Sequence, residues 1–337
     1  MKMPREFFGW IFIMSMAYLS VPFLNAQDGS PQIGIWKGHD SGISGLDLSQ
    51  DGTRLVTCGL DGTIRLWDAH TGRTLRVLRS RETEFYAVAF SHTAKFIVAT
   101  GDKGEISVFD AQSGKTVREL QGLEGWSVDL ALSPDGRFAA AWSMDGHILI
   151  WDIEANAKPC VLAGDPGKWG MSLAWSPDGR ILAAGRVSIT LWDFKKGTRS
   201  GELSGHKDFI RNMAFSPDGR LLASTGLDKT VRVWEIPAAR ELYTLRPEGF
   251  VHPSTIGPVT EPILVPLLAV SFSPDGKTLA TAGADRLVRL WEAETGRFIR
   301  SFQGHAMSVT ALAFSPDGKT LYSASLDKTI RVWRLAR

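Results

Sequence analysis

The chain has 337 residues, of which 44% are hydrophobic and 22% are charged, as in soluble globular proteins that bury a core. Its formal net charge is +2, so it lacks the basic excess typical of nucleic-acid-binding proteins, and we expect no nucleic acid partner. Glycine and tryptophan are frequent, with 34 Gly and 12 Trp, which is typical of many short strands joined by tight turns.

The chain begins with an apolar segment. Lys2 and Arg5 precede an almost uninterrupted apolar run over residues 7–24, which is followed by Ala26 and then by polar residues. This order predicts a signal peptide over residues 1–26 and a short linker over residues 27–31. A run of this length can also span a membrane, so an uncleaved anchor over residues 7–24 is the alternative. The sequence predicts an exported protein, periplasmic or secreted, that contacts the membrane only if this segment is retained.

Two short phrases recur from residue 32 onward. The phrase Ser-Pro-Asp-Gly followed by Lys or Arg starts at Ser133, Ser176, Ser216, Ser273 and Ser315, with degenerate versions at residues 49 and 91. An alternating apolar run closes each unit with an aromatic residue, at positions 67, 109, 151, 192, 234, 291 and 333. The intervals between these positions are 42, 42, 41, 42, 57 and 42 residues, which predicts seven repeated units.

Each unit is predicted to form a four-stranded antiparallel sheet. In the fifth unit, alternating residues and Asp-Gly turns predict strands over residues 210–215, 221–224, 230–234 and 241–245. Such a sheet is apolar on both faces, so it needs a neighbour on each side, and packing around an axis supplies both. We therefore predict an all-β protein, a seven-bladed β-propeller over residues 32–337.

The two ends of the repeat region are predicted to meet. The last unit has no residues left for a fourth strand, whereas residues 32–36 precede the first unit and align with the outer strand at residues 297–302. We expect this N-terminal strand to complete the last blade and to remove an open sheet edge.

Gly-His and Trp-Asp pairs recur in the units, and with them the chain resembles the WD-repeat family over residues 32–337. The export segment and the near-identical turns are interpreted as those of a bacterial-type exported member. In that family an Asp, a His, a Ser or Thr and the Trp form a hydrogen-bonded relay within one blade, which satisfies buried polar groups. The resemblance implies relays in the first, fifth and seventh units: His39, Thr57, Asp61 and Trp67; His206, Ser224, Asp228 and Trp234; His305, Ser323, Asp327 and Trp333.

The remaining four units depart from this pattern. The second has Phe109 in place of Trp, the third has Leu123 in place of His, and the fourth has Asp165 in place of His. The sixth keeps its Thr, Asp and Trp but lacks a Gly-His pair.

The sequence contains no motif of a known catalytic or metal centre. No HExxH, CxxC, GxSxG or P-loop occurs, so we expect no catalytic residues, no metal site and no cofactor. The predicted inner strands carry four strongly polar residues, Asp47, Asp129, Arg211 and Asn212. The alternative function is an exported enzyme or small-ligand-binding propeller that uses the central channel. The two cysteines, at positions 58 and 160, are expected to be distant, buried free thiols.

One face of the propeller is predicted to bind a partner. In the family, the loop entering the innermost strand and the turn that carries the Asp open on the same face, here called the top face. Aromatic residues stand at equivalent entry positions in units three to five, an insert at residues 246–268 follows the fifth unit, and apolar turn residues surround them. The predicted partner-binding residues are Trp126, Trp169, Phe209, Leu227, Phe250 and Ile263.

Each of these features also has a structural interpretation. The rings can simply plug the channel entrance, and the insert can be a tolerated surface loop. Because interfaces favour aromatic residues, we predict a non-catalytic, monomeric scaffold that binds a protein or peptide through its top face.

Overall fold

The computed structural model describes residues 32–79, 84–104, 106–155, 157–164, 170–247 and 265–335, and all regular secondary structure in these ranges is β-strand. The predicted signal peptide and linker lie outside the described residues. No helix within the described ranges is long and apolar enough to cross a membrane.

The described chain forms 28 strands. The first half contains β1 (Gln32–Lys37), β2 (Ile43–Leu48), β3 (Arg54–Gly59), β4 (Thr63–Asp68), β5 (Thr74–Arg79), β6 (Phe85–Phe90), β7 (Phe96–Gly101), β8 (Ile106–Asp110), β9 (Thr116–Leu120), β10 (Leu130–Leu132), β11 (Phe138–Trp142), β12 (Ile148–Asp152), β13 (Cys160–Leu162) and β14 (Ser172–Trp175). The second half contains β15 (Ile181–Gly185), β16 (Ile189–Asp193), β17 (Thr198–Leu203), β18 (Ile210–Phe215), β19 (Leu221–Gly226), β20 (Val231–Glu235), β21 (Arg240–Leu245), β22 (Leu267–Phe272), β23 (Thr278–Gly283), β24 (Val288–Glu292), β25 (Phe298–Phe302), β26 (Val309–Phe314), β27 (Thr320–Ser325) and β28 (Thr329–Arg334).

These strands form seven four-stranded antiparallel sheets, which are the blades of the predicted propeller. Blades 1 to 6 each use four consecutive strands, beginning with β2, β6, β10, β14, β18 and β22, and blade 7 has the order β1-β28-β27-β26. The inner strand is the first strand of blades 1 to 6 and β26 in blade 7, and each inner strand contacts the inner strands of both neighbouring blades. The contact between β2 and β26 closes the ring, so the predicted fold class is confirmed.

The N-terminal strand closes blade 7, as the sequence predicted. It runs antiparallel to β28, with Trp36 opposite Ile330. The Trp36 ring stacks on Trp67 of blade 1 at a centroid distance of 6.2 Å and lies 5.7 Å from the Tyr322 ring. Gly72 of blade 1 has a φ of +72°, and a Cβ atom there would lie 2.2 Å from the Trp36 indole nitrogen. The closing strand is therefore packed against the first blade as well as hydrogen-bonded to the last.

The hydrophobic core lies between blades. In one cluster, Val56 and Leu66 of blade 1 pack against Phe90 and Ile97 of blade 2, and equivalent clusters fill the other blade boundaries. This arrangement explains why the middle strands are apolar on both faces, since each face meets a different neighbour.

The two cysteines are free thiols, but their environments differ. Cys58 lies in β3 and is buried, as predicted. The prediction that Cys160 is buried is wrong, because it lies on β13, the outermost strand of blade 3, where its side chain faces solvent.

Candidate functional site

Blade 1 contains a continuous chain of buried hydrogen bonds. Nδ1 of His39 lies 2.9 Å from an Asp61 carboxylate oxygen, and its Nε2 lies 2.8 Å from the hydroxyl of Thr57. The indole N–H of Trp67 donates to the same hydroxyl at 2.9 Å. The chain therefore links the turn after β3 to the tryptophan at the end of β4.

Blades 5 and 7 repeat this arrangement. In blade 5, His206 lies 2.9 Å from Asp228 and 2.7 Å from the hydroxyl of Ser224, which accepts the Trp234 indole N–H at 2.9 Å. The same three distances in blade 7 are 2.9, 2.7 and 2.9 Å. All three histidine side chains are fully buried, and each relay joins strands and turns within its own blade.

A fifth residue belongs to each relay, and sequence reasoning missed it. The threonine two positions after the aspartate donates its hydroxyl to the carboxylate, at 2.7 Å for Thr63, 2.8 Å for Thr230 and 2.6 Å for Thr329. The signal was present in the printed sequence, since Asp-x-Thr occurs in all three units.

The relay carboxylates stay ionised. Burial by itself would raise the pKa of Asp327, but the hydrogen bond and charge of His305 and the Thr329 hydroxyl lower it to about 2. The pKa values of Asp61 and Asp228 are lowered against burial in the same way.

Blade 6 lacks the histidine and uses an ion pair instead. The indole N–H of Trp291 donates to the hydroxyl of Thr281 at 2.8 Å, as in the complete relays. Asp285 pairs with the guanidinium of Arg289, and both side chains are almost fully buried. The degenerate unit thus keeps the hydrogen bond between tryptophan and threonine, and Arg289 takes the place of the histidine as the partner of its aspartate.

The top face is built from the loop entering each inner strand and the turn after each second strand. In blade 5 the Leu227 N–H donates to the Phe209 carbonyl at 2.9 Å, and the Arg186 guanidinium lies 5.7 Å from the centre of the Phe209 ring. The N–H of Ile210 also donates to the Arg186 carbonyl, at 2.6 Å. Phe209 and Leu227 are half-buried, so the rings and aliphatic groups are partly open at this entry.

Trp126 does not occupy the position that Phe209 occupies. In blade 3 the carbonyl that accepts the hydrogen bond from the turn belongs to Glu124, which pairs with the Met144 N–H at 3.1 Å. The entry loop contains Gly122 and Gly125 with φ values of +122° and +82°. Its path differs from that of blade 5, so Trp126 comes two residues after the residue equivalent to Phe209. Trp126 is half-buried. The other predicted binding residues, Trp169, Phe250 and Ile263, lie outside the described residues.

The inner strands surround a cavity of about 430 Å³ on the propeller axis. Three polar side chains of this cavity link adjacent blades by accepting backbone N–H groups. Asp47 accepts from Phe90 at 2.7 Å, Asp129 accepts from Leu173 at 2.7 Å, and Asn212 accepts from Val270 at 3.0 Å. Burial raises the pKa of Asp47 to about 6 and raises that of Asp129 as well. These contacts give the polar channel residues a structural role between blades.

The most exposed large apolar side chains are elsewhere. They lie on the outer strands of blades 6, 7, 1, 2 and 3, at Phe298, Ile299, Ile33, Ile35, Leu75, Val77, Val117 and Val161. Sequence reasoning did not single them out, although the alternation of the outer strands places one set of side chains outward.

Within the described ranges no group of three or more His, Cys, Asp or Glu residues is arranged to hold a metal ion. The molecule is a repeat propeller whose buried relays follow the WD pattern. The family model described as WD domain, G-beta repeat matches residues 30–68, 114–152, 197–235, 264–292 and 296–334, more than half of the chain. The chain belongs to this family. The segments that carry the third strands of blades 2 and 4, where the motif is degenerate, fall outside the matches.

Proposed function

We propose that this protein is an exported, non-catalytic scaffold that binds a protein or peptide through the top face of its propeller. Propellers of this family are commonly protein-interaction scaffolds. The enclosed relays leave the buried His and Asp residues without access to a substrate, which supports a binding role over a catalytic one.

The arrangement at the entry of blade 5 carries the proposal. Phe209 and Leu227 are joined by a backbone hydrogen bond and are partly open to solvent, and Arg186 lies over the ring. Aromatic and arginine side chains next to apolar groups are enriched at the energetic centres of interfaces. The backbone hydrogen bond between the entry loop and the turn restrains these groups, which reduces the entropy lost on binding.

We also propose that the segment between β21 and β22, which contains most of the predicted insert at residues 246–268, adds to this surface; the last two residues of the predicted insert, Leu267 and Leu268, belong to β22. The segment connects blade 5 to blade 6 and therefore starts from the blade that presents Phe209. Its five prolines restrict the backbone, and Phe250 and Ile263 add apolar groups for a partner.

The proposal is tested by a quantitative pull-down from the native envelope fraction. The double variant Phe209→Glu with Leu227→Glu is compared with wild type and with Lys277→Glu, a matched charge change on an exposed turn at the other end of the blades. We expect the first variant to lose specific proteins that wild type and Lys277→Glu retain, with all three melting within a few degrees of one another. An identical set of bound proteins for all three would contradict the proposal.

The central channel supports the alternative, an enzyme or small-ligand propeller, less well. Catalysis there needs several groups that converge on one point, whereas Asp47, Asp129 and Asn212 each accept a backbone N–H from the next blade. One channel side chain, Arg211, does not take part in these links.

A further inference from the structure

Arg211 is the exception among the polar groups that line the axial cavity. It is the second residue of inner strand β18. Its guanidinium makes no hydrogen bond or ion pair with any part of the chain that the structure describes. By contrast, Ser44 and Thr310, which stand at the same position of β2 and β26, donate their hydroxyls to the carbonyls of Phe85 and Ile43 at 2.5 and 2.7 Å.

Among the described residues, the charge of this guanidinium is compensated by Asp129 at a distance. Burial lowers the pKa of Arg211 and the charge of Asp129 raises it, but Asp129 lies beyond ion-pair distance. The two Asp129 oxygens accept the N–H groups of Leu130 at 2.9 Å and Leu173 at 2.7 Å, so this carboxylate is committed to joining blades 3 and 4. A guanidinium remains protonated in proteins, and a partly buried one without a direct partner is unfavourable unless an anion reaches it.

Arg211 lies close to the entry residues of the proposed top-face surface. Phe209 directly precedes β18 at the entry of blade 5, and Arg211, two residues further along the chain, lines the axial cavity. Asn212, next in the strand, uses its side-chain oxygen for Val270, which leaves its amide N–H groups as additional donors.

We propose that the top of the channel is a carboxylate-binding pocket in which Arg211 pairs with an acidic side chain or the C-terminal carboxylate of the bound partner. This inference rests on the proposed function, since it names the chemical group that the scaffold recognises. Planar guanidinium and carboxylate groups can form two parallel hydrogen bonds, and an apolar entry around such a pair excludes water.

The charges in the cavity favour a carboxylate over a phosphate. Arg211 is the only Lys or Arg among the residues described as lining the cavity, whereas Asp47 and Asp129 lie on its wall. A phosphate dianion would meet one cation and two carboxyl groups, while a monoanionic carboxylate is matched by the single guanidinium.

The test measures the side-chain Nε–Hε resonance of Arg211 in the ¹⁵N-labelled protein, assigned by its loss in Arg211→Met. Four probes are titrated: a tripeptide blocked at both ends with a central glutamate, its glutamine counterpart, an N-blocked tripeptide with uncharged side chains and a free C-terminus, and inorganic phosphate. We expect at least one carboxylate peptide to shift this resonance and to bind about tenfold tighter than the glutamine peptide. The stronger of the two carboxylate peptides identifies whether a side chain or a terminus is the preferred source.

Variants separate the pocket from the surface around it. Arg211→Met is expected to abolish the preference for carboxylate, Arg211→Lys to retain part of it, and Lys207→Met, a change of an exposed top-face cation, to preserve it. The pocket would be overturned if neither carboxylate peptide binds tighter than the glutamine peptide, if phosphate binds tighter than both, or if neither shifts the resonance up to about 10 mM.

The pull-down distinguishes failure of the pocket from failure of the scaffold. If Phe209→Glu with Leu227→Glu loses bound proteins that Arg211→Met keeps, the top face binds a partner without a carboxylate contact. If neither variant loses a protein, the proposed function itself is wrong.

Discussion

Blades 5 and 6 are neighbours in which the aspartate after the second strand has different partners, His206 in blade 5 and Arg289 in blade 6. Each has an arginine two positions before its tryptophan, Arg232 in blade 5 and Arg289 in blade 6. Arg232 pairs with Glu241 of the outer strand, because His206 already occupies the place beside the relay aspartate. Arg289 turns the other way and pairs with Asp285.

The residue opposite the tryptophan on the outer strand explains this difference. Glu241 lies opposite Trp234 in blade 5, and Gln32 lies opposite Trp333 in blade 7, where it accepts a hydrogen bond from Arg331. In blade 6 this position is Phe298, whose ring packs edge-on against Trp291 at 5.3 Å and offers no acceptor. The arginine two positions before the tryptophan therefore pairs with the outer strand in one blade and with the aspartate in another. The choice depends on whether a histidine already contacts the aspartate and whether the outer strand offers a hydrogen-bond acceptor.

The largest expected effect is a difference in the free energy of unfolding between variants of Arg289 and of Arg232. Arg289→Met leaves the buried Asp285 without its cation, so we expect a loss of about 3–5 kcal/mol in the free energy of unfolding. The matched variant Arg232→Met removes a partly exposed pair and should cost about 1 kcal/mol. Urea denaturation monitored by tryptophan fluorescence measures both. Equal losses would show that the two arginines do not differ in energetic role.

A double-mutant cycle sharpens the comparison by converting blade 5 toward blade 6. His206→Ala removes two buried hydrogen bonds and is expected to cost about 2–3 kcal/mol. Adding Glu241→Phe frees Arg232 to pair with Asp228, so the double variant should be about 1 kcal/mol more stable than additivity predicts. His305→Ala combined with Glu241→Phe is the control, because these residues lie in different blades and should be additive. The hypothesis fails if both pairs are additive.

The smallest effect is the acid dependence of a complete relay. The pKa of Asp327 is lowered in the folded protein to about 2, so its contribution to stability is present above its unfolded pKa near 4 and is lost as the pH falls toward 2. Asp327→Asn should therefore destabilise the protein by about 1–2 kcal/mol at pH 6, with the difference vanishing near pH 2. Unfolding free energies at several pH values measure this. Exposed Asp40→Asn is the control, and a difference for Asp327→Asn that stays constant with pH would exclude the ionised relay.

Much of the fold follows from local patterns. The repeated aromatic positions predicted seven blades, and the unmatched strand at residues 32–36 predicted the closure by β1, because a sheet edge requires a partner. The relay residues were identifiable because all of them lie within one repeat. The threonine at the second position after each relay aspartate was equally visible and needed only the same geometric argument.

The candidate site depended on features that a repeat alignment does not contain. Counting residues back from the inner strands assigned Trp126 and Phe209 to equivalent positions. In the structure the entry loop of blade 3, which contains two glycines with positive φ, places Glu124 at the position equivalent to Phe209. The exposure of Cys160 depends on which strand is outermost and on the lack of a further strand beside it.

By itself, the sequence determined the number of blades, their strand order and the residues of the three relays, because these depend on short-range periodicity and on hydrogen bonds within one sheet. Only the tertiary structure decided the partner of each arginine. Arg289 pairs with Asp285 beside Phe298, and within the described ranges Arg211 makes no direct ion pair, since Asp129 accepts a backbone N–H of the next blade. Such pairings depend on side chains that distant strands bring together, and spacing along the chain does not encode them.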